Sequence, residues 1–575
     1  MTSVSKTEIQ TKRQPWGVTG WTIVMAVFLV GFVAFPLRTV GANLDYLPGD
    51  PADNRLNNYI LEHGYRYLTR RVDSFWDAPM FYPTLKATTR SDAHLGMLPI
   101  YAALRIVGYS PECAFQGWFL IPFILNFATS AWAIRRFGFG PIAVAAGAYT
   151  FTFPISVAAQ TLHAQLFPRF LVAPAVVFAW EFLRTPRTWR LGAVAACWVG
   201  QTYLTVYMGY FLVLLLLVGF VITLARFGRQ LPWRELLLPG WRVWFGRVAV
   251  IAATGIAIFP LMWAHGRGVG TLSKEHFLVF APRPGAWLTP PVHAGTYPEL
   301  ADITGLGTWE VAEQQLCPGF TSILAVGLGL IVLFRPNTVD DRWSVVAVAA
   351  WSAILLALLV TRYGTWWPYE SLIGLPGAGG IRAVGRVVFV IMFPAAVVVG
   401  AFAERIVHAT ASMGRGVTVI VAFLAFLAVM ADHWLVSTTG STAGKWKAMR
   451  YSRETAVTRQ NKVAEVIRRH PAPTAVHVFP SATPSGGLGV QLEAMRATQD
   501  LGLPCVNGWS GYSPQGWDYV TFFPSYRSLI NWLTSTNNLT SEQLTGLVVV
   551  GEPQADADPA YEAAMRAAHP PQIVP

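Results

Sequence analysis

Apolar runs of membrane-spanning length recur along the first three quarters of the chain, separated by short polar or basic stretches. Because about 20 apolar residues in a helix cross a bilayer, and because lipid cannot satisfy backbone polar groups, this pattern predicts a polytopic α-helical membrane protein. About eleven spans are predicted. They are Trp16–Leu37, Ala114–Ile134, Pro141–Ala158, Leu166–Leu183, Leu191–Leu204, Met208–Leu224, Val248–Trp263, Phe320–Phe334, Val345–Val360, Val387–Ala403 and Val417–Met430.

Composition agrees with this interpretation. Hydrophobic residues make up 53% of the 575 positions and charged residues only 13%, about half the charged share of an average soluble domain. The formal charge of +12 comes from short basic clusters between the apolar runs. Such clusters are typical of cytoplasmic loops rather than of a nucleic-acid-binding surface. We therefore expect a multi-pass protein of the cytoplasmic (inner) membrane, with a cytoplasmic N-terminus and no nucleic-acid partner.

The same charge pattern predicts the domain organisation. A transmembrane module, residues 1–436, has outer loops 38–113, 265–319 and 362–386. A short apolar stretch, Leu95–Val107, is interrupted by Pro99 and is predicted as an interfacial or re-entrant helix on the outer face. Residues 437–575 lie outside. Their β-branched runs Thr474–Phe479 and Leu547–Val550, punctuated by Gly and Pro, predict a small extracytoplasmic α/β domain.

Two carboxylates follow the first apolar run, at the predicted membrane edge, where ionisable groups are functional candidates. Asp50 or Asp53 could act as a general base toward an acceptor hydroxyl. Either could instead ligate Mg²⁺ or Mn²⁺, which favour oxygen ligands. The structural alternative is a helix cap, since apolar residues with helical spacing follow from Arg55. A cap accounts for only one of the two, so we expect at least one to be catalytic.

Other polar residues of the predicted outer face are candidate substrate-binding groups. His163 lies in a tight turn between two helices, and Arg169 follows near the outer end of the second. Arg382 and Arg386 lie outside against the positive-inside bias, and their four-residue spacing predicts one face of a helix. Guanidinium groups suit phosphate oxygens, although snorkelling to lipid headgroups would also explain the pair.

Three further residues are weaker candidates. Asp92 and His94 could line a polar pocket or could cap the interfacial helix. The polar residues of loop 265–319, Glu313 among them, are interpreted mainly as a solvated loop surface.

Several short motifs, in their order and sidedness, resemble the GT-C superfamily of integral-membrane glycosyltransferases. They are the stretch 49–63, Phe81-Tyr82-Pro83, His163-Ala164-Gln165, Cys317-Pro318-Gly319, Ile381–Arg386 and Asn507–Pro514. The resemblance covers most of the chain. It implies a GT-C-like fold and a sugar donor linked to polyprenyl phosphate and reached from the outer leaflet. It also implies a cell-envelope glycan, lipid or protein as acceptor, and a first-loop acidic residue as catalytic group.

The resemblance also implies roles for individual residues. Asp53 is similar to the first residue of an Asp–Glu pair in members like the lipid A aminoarabinose transferases. Asn54 stands where the Glu is expected. This departure leaves Asp50 as the second carboxylate and tentative metal ligand, and it puts a metal requirement in doubt.

Two other functional classes fit a chain of this composition. A transporter or flippase for a lipid-linked glycan would show inverted repeats and charged or broken helices near the bilayer midplane. A noncatalytic assembly subunit would not need its acidic residues to face a cavity. The polar residues here lie mostly at predicted membrane edges and no repeat is evident, which favours the glycosyltransferase.

Overall fold

The computed structural model is predominantly α-helical. It describes residues 16–156, 160–268, 274–291, 299–305, 313–332, 339, 341–375, 377–434, 450–482, 486–517, 523 and 525–551. The predicted domain boundary at 436/437 and the first fifteen residues lie outside this described part.

The helices in chain order are α1 Val18–Val40, α2 Asp53–Leu68, α3 Leu98–Ile106, α4 Pro111–Arg136, α5 Pro141–Thr152, α6 Val172–Arg184, α7 Thr188–Leu204, α8 Val206–Phe227, α9 Trp233–Leu237, α10 Trp241–Gly268, α11 Lys274–Phe280, α12 Glu299–Thr304, α13 Phe320–Val332, α14 Arg342–Val360, α15 Val388–Ala409, α16 Arg415–Asp432, α17 Arg453–Arg468, α18 Gly486–Leu501 and α19 Tyr526–Asn531. The strands are β1 Tyr46–Pro48, β2 Arg450–Ser452, β3 Ala475–Val478 and β4 Leu547–Val550.

Seven of the described helices, α1, α4, α8, α10, α14, α15 and α16, are long and apolar enough to cross a membrane. The predicted polytopic helical class is therefore confirmed. The remaining four predicted spans coincide with α5, α6, α7 and α13, which have only 12 to 17 residues, so the count of eleven spans stays a prediction. The predicted interfacial stretch contains the nine-residue helix α3.

One predicted span begins in the wrong place. We expected a helix over Leu166–Leu183, but Thr161–Leu166 forms a 3₁₀ turn and α6 starts only at Val172. Pro168 lies between them, and proline has no N–H to continue the helical hydrogen bonds. Arg169 therefore precedes α6 rather than lying within it.

Helix α15 is the centre of the membrane-spanning part. The helical stretch Val384–Met413 contains α15, and 94% of its most apolar part is buried. Helix α15 packs against α5, α13, α14 and α16. A helix apolar all round is the kind that fits such a buried position. Arg386 lies just before α15, so its guanidinium is anchored to the most rigid element of the fold.

The C-terminal segment, residues 450–551, forms a small α/β unit. Strands β3 and β4 pair in parallel, with Val476 opposite Val548. Helix α18 follows β3 in the chain and precedes Cys505. Cys505 forms a further parallel bridge with Val476 of β3. Both β-rich runs recognised in the sequence are therefore strands, as predicted.

This segment is joined to the first loop of the chain by backbone and side-chain contacts. Strand β2 pairs antiparallel with β1, placing Tyr46 opposite Ser452. Below this pair, the buried Glu112 carboxylate accepts from Arg55 at 3.1 Å and from Arg496 at 3.2 Å. All three side chains are at most 7% exposed. Since a buried charge without a partner is strongly destabilising, these residues hold the segment in one docked position.

Replacing Glu112 by Gln is expected to loosen this docking. Two buried guanidiniums would lose their shared carboxylate, which costs about 3–5 kcal/mol. Thermal unfolding in detergent and limited proteolysis of the C-terminal segment measure the effect.

Glu370→Gln is the control. Glu370 pairs with Lys274, and the two side chains are 43% and 54% exposed, so the loss there should stay below about 1 kcal/mol. Equal effects of the two substitutions would contradict the docking role of Glu112.

Candidate active site

The two first-loop aspartates lie at the start of α2. The helix begins at Asp53 itself, and its N-cap residue, Ala52, makes no side-chain capping bond. Asp50 Oδ1 accepts from the Ala52 backbone N–H at 3.2 Å. Asp53 is thus in the first helical turn, where the helix dipole favours a negative charge. Neither aspartate is the simple cap that the spacing allowed.

Both carboxylate oxygens of Asp53 have partners. Oδ2 lies 3.2 Å from His163 Nε2, and Oδ1 accepts from Trp509 Nε1 at 2.7 Å. Although protein surrounds the group, 33% of the Asp53 side chain remains accessible. This combination means that the carboxylate faces an internal cleft. The structure brings Asp53 and His163 together. Trp509 belongs to the motif Asn507–Pro514, but its contact with Asp53 was not predicted.

Asn54 joins α2 to the turn that carries His163. Its Nδ2 donates to Thr161 O at 2.8 Å, and its Oδ1 accepts from Ala164 N at 3.3 Å. A carboxylate at this position could accept but not donate. The amide that replaces the expected Glu therefore has a physical role: it fixes His163 relative to Asp53.

Gly49 makes room for this arrangement. Its φ of +73° is in the left-handed region, and a Cβ there would overlap the Asn54 amide. Only glycine adopts this conformation without strain and without displacing Asn54.

The two aspartates ionise differently. Burial and, to a smaller extent, the charge of the neighbouring Asp53 raise the pKa of Asp50 to about 6. Burial also raises the pKa of Asp53, but the hydrogen bond and charge of His163, the Trp509 N–H and the Arg386 charge together outweigh burial and lower it below 3.8. Asp53 is therefore ionised at neutral pH, whereas Asp50 gains and loses its proton at a pH close to neutral.

A second charged pair lies beside the first. Arg386 Nη2 and Nε donate to Glu313 Oε1 at 2.6 and 3.1 Å. Gln160 Nε2 lies 3.4 Å from Glu313 Oε2. Burial raises the pKa of Glu313, but Arg386 and His163 outweigh it and lower the pKa. Glu313 is not part of a solvated loop surface, so that interpretation of it is wrong. It is a buried partner of a predicted phosphate-binding arginine.

Arg382 and Arg386 do not share a helix face as predicted. Val384–Val387 is a 3₁₀ turn and Arg382 precedes it. The four-residue spacing therefore does not place the two side chains on one face of an α-helix. Arg382 Cζ lies 5.2 Å from the Phe280 ring centre. Arg386 Cζ lies 5.2 Å from that of Tyr207. Both guanidiniums sit over aromatic rings, a favourable cation–π arrangement.

Asp92 and His94 do not cap the interfacial helix, because α3 begins only at Leu98. Asp92 accepts from Thr205 Oγ1 at 3.2 Å and so supports the start of α8. His94 Nε2 lies 3.0 Å from Asn57 Oδ1. Burial lowers the pKa of His94 to about 4, so its ring is neutral near pH 7.

Arg169 lies elsewhere. The side chain is 1% exposed, and its guanidinium donates to the backbone carbonyls of Phe151 at 2.5 Å and Phe389 at 3.2 Å. These bonds satisfy carbonyls at the end of α5 and in α15, so the position of Arg169 ties helices together. A substrate-binding role for it stays a prediction that none of these contacts supports.

The described residues around Asp50 form no cluster of candidate metal ligands. Among the described residues, no group of three or more His, Cys, Asp or Glu side chains is arranged to hold one. Asp53 is already engaged by His163 and Trp509, which leaves Asp50 as a single carboxylate, and Mg²⁺ is usually bound by one or two carboxylates with other oxygen ligands. Tentative Mg²⁺ or Mn²⁺ binding at Asp50 stays a prediction, and no chemical step below depends on it.

No protein-family model and no curated protein matches the sequence. Solved structures are similar at low identity. The arabinofuranosyltransferase AftD from Mycobacteria is 14% identical with a TM-score of 0.45, over 81% of this chain and 29% of AftD. ArnT from Cupriavidus metallidurans bound to undecaprenyl phosphate is 12% identical with a TM-score of 0.43, over 96% and 95% of the two chains. The oligosaccharyltransferase AglB from Archaeoglobus fulgidus, in complex with an inhibitory peptide and a dolichol-phosphate, is 11% identical with a TM-score of 0.46, over 91% and 69%.

Proposed function

We propose that the protein is a membrane glycosyltransferase. It moves a sugar from a polyprenyl-phosphate donor to a glycan, lipid or protein acceptor at the extracytoplasmic face. The observation that carries the proposal is the Asp53 carboxylate, ionised and a third accessible in a cleft beside His163 and the Arg386–Glu313 pair. A positioned base together with a cation for a leaving phosphate is the minimum that this transfer requires.

The reaction forms one bond and breaks one. The oxygen of an acceptor hydroxyl attacks the anomeric carbon, and the bond from that carbon to the phosphate oxygen breaks with its electron pair going to the phosphate. Asp53 accepts the hydroxyl proton, and His163 holds Oδ2 in place. The products are the glycosylated acceptor and free polyprenyl phosphate, so no nucleotide or oxidant is needed.

Arg386 is suited to the phosphate. Its guanidinium fork already binds one oxyanion group, the Glu313 carboxylate, and the same geometry accepts phosphate oxygens. A guanidinium held rigidly at the start of α15 would need little rearrangement as charge develops on the leaving group.

The first prediction from the proposed function concerns Asp53. Asp53→Asn should lower sugar transfer by two to four orders of magnitude, the usual contribution of a general base, with normal expression and thermal stability. The measurement is release of polyprenyl phosphate from a panel of synthetic undecaprenyl-phosphate pentoses and hexoses, incubated with the purified protein and an envelope extract as acceptor. Asp77→Asn, in an exposed carboxylate of the same loop, is the control and should transfer normally.

Three results would count against this assignment. One is unchanged turnover in both Asp53→Asn and Asp50→Asn. Another is absence of transfer from every donor in the panel. The third is passage of a lipid-linked glycan across proteoliposomes without sugar transfer, which would favour the transporter instead.

The second prediction uses pH to separate the two aspartates. Asp53, whose pKa is lowered from its usual value, is already ionised in the range where Asp50 ionises, as pH rises through about 6. If Asp53 is the base, transfer should show only a modest inflection near pH 6, which Asp50→Asn removes while activity remains. A tenfold fall in rate per pH unit below 6, together with an inactive Asp50→Asn variant, would instead assign the base to Asp50.

The third prediction concerns phosphate binding. Replacing Arg386 and Glu313 together by Gln avoids leaving either charge unpaired. This double variant should bind undecaprenyl phosphate in nanodiscs on the order of tenfold more weakly, because a charge-assisted hydrogen bond contributes about 1.5–3 kcal/mol.

Arg362→Gln is the control for this experiment, since the Arg362 guanidinium donates to the nearby Gly364 carbonyl and makes no ion pair within the described residues. Equal affinities of the double variant and the unaltered protein would remove Arg386 from the phosphate site.

A further inference from the structure

Trp509 reaches the candidate base from the far end of the chain. Its indole N–H donates to Asp53 at 2.7 Å across 456 positions of sequence. The reaction scheme above uses Asp53, His163 and Arg386 and gives Trp509 no role. A part-buried indole N–H that donates to the proposed catalytic carboxylate nevertheless needs a physical explanation.

The residues before Trp509 fix its backbone. The Asn507 side chain donates to Val478 O at 2.9 Å and accepts from Val478 N at 2.7 Å, so it is tied to the edge of β3 as a backbone strand would be. Gly508 then passes directly against the Phe81 ring, where a Cβ would overlap the ring. Phe81 belongs to the first loop, so this close approach seats the C-terminal segment on it.

The residues after Trp509 are fixed as well. Ser510 Oγ donates to Arg90 O at 2.7 Å, and Arg90 Nη1 donates to Ser513 O at 3.1 Å. Tyr512 Oη lies 3.3 Å from Gly380 O, close to Arg382. The segment 507–513 therefore bridges two outer elements of the membrane module, with the Trp509 side chain directed between them toward Asp53.

We propose that Trp509 is a positioning residue for Asp53, so that the base is correctly oriented only when the C-terminal segment is docked. The inference rests on the proposed function and deepens it, because it makes sugar transfer depend on a contact between the two ends of the chain. The indole N–H holds Oδ1 while His163 holds Oδ2, so the two contacts together fix the orientation in which the carboxylate meets the acceptor hydroxyl. The same N–H favours the ionised form of Asp53.

Packing alone would be the simpler explanation, and Trp509→Phe tests it because phenylalanine keeps an aromatic ring and removes only the donor. With the donor gone, the pKa of Asp53 should rise, so the acid side of the pH–rate profile should move to higher pH. The maximal rate should fall on the order of tenfold to a hundredfold, the usual effect of a misplaced catalytic group.

Trp517→Phe is the matched control. Trp517 lies in the same C-terminal segment, is 6% exposed, and its indole N–H has no hydrogen-bond partner within the described residues. Losing that indole should cost packing energy but leave the pH profile unchanged. If both variants lower the rate without moving the profile, Trp509 acts only through packing and the proposal is overturned.

A second readout does not need a substrate. In ¹⁵N-indole NMR spectra of the protein in nanodiscs, the signal missing from Trp509→Phe identifies the Trp509 N–H. That signal should move in Asp53→Asn and stay in place in Asp77→Asn. An unmoved signal in Asp53→Asn overturns the contact and with it the proposal.

The two levels of inference can fail separately. Full transfer by both Asp53→Asn and Asp50→Asn would overturn the proposed function, whereas full transfer by Asp53→Asn alone would assign the base to Asp50 and overturn the positioning role of Trp509. An inactive Asp53→Asn variant beside a Trp509→Phe variant with unaltered rate and pH profile would overturn only the positioning role.

Discussion

The docking of the C-terminal segment onto α2 is the interaction on which the candidate site depends. Glu112 shares its buried charge between Arg55 of α2 and Arg496 of α18, and none of the three can be left unpaired without a large loss of stability. Fixing α2 in this way fixes Asp53 at its first turn. Through Asn54 it also fixes the turn that carries His163. Structural charge pairing and candidate catalytic geometry are therefore parts of one arrangement.

Charges in the cleft are balanced in pairs. Asp53 faces His163, and Glu313 faces Arg386. A phosphate that binds Arg386 must therefore do so without displacing Glu313, because the displaced carboxylate would be left as an unpaired, mostly buried charge. The apolar surroundings strengthen each of these interactions and make an unpaired group costly.

Local patterns were sufficient for much of the fold. Apolar periodicity located the long spans, and the β-branched runs located β3 and β4. Asp50, Asp53 and His163 were recognised because polar residues at a membrane edge are conspicuous in an apolar chain. Glu313 and Trp509 were missed as site residues because their roles come from partners 73 and 456 positions away, and no local signal encodes such contacts. The prediction that Arg382 and Arg386 share one helix face was wrong because a 3₁₀ turn replaces the expected helix.

The long separation in sequence between the first loop and its partners in the C-terminal segment has a consequence for biosynthesis. Arg55 and Gln460, bonded at 2.7 Å, are 405 residues apart, and ribosomes add about 5–20 residues per second. The first loop therefore waits roughly 20–80 s for its partners after it is made. During that interval α2 lacks Arg496 and Trp509, so a nascent or truncated chain would have membrane helices without an assembled cleft. The contacts of Asp53 and Glu112 with the C-terminal segment can therefore form only after the chain has been made as far as Trp509.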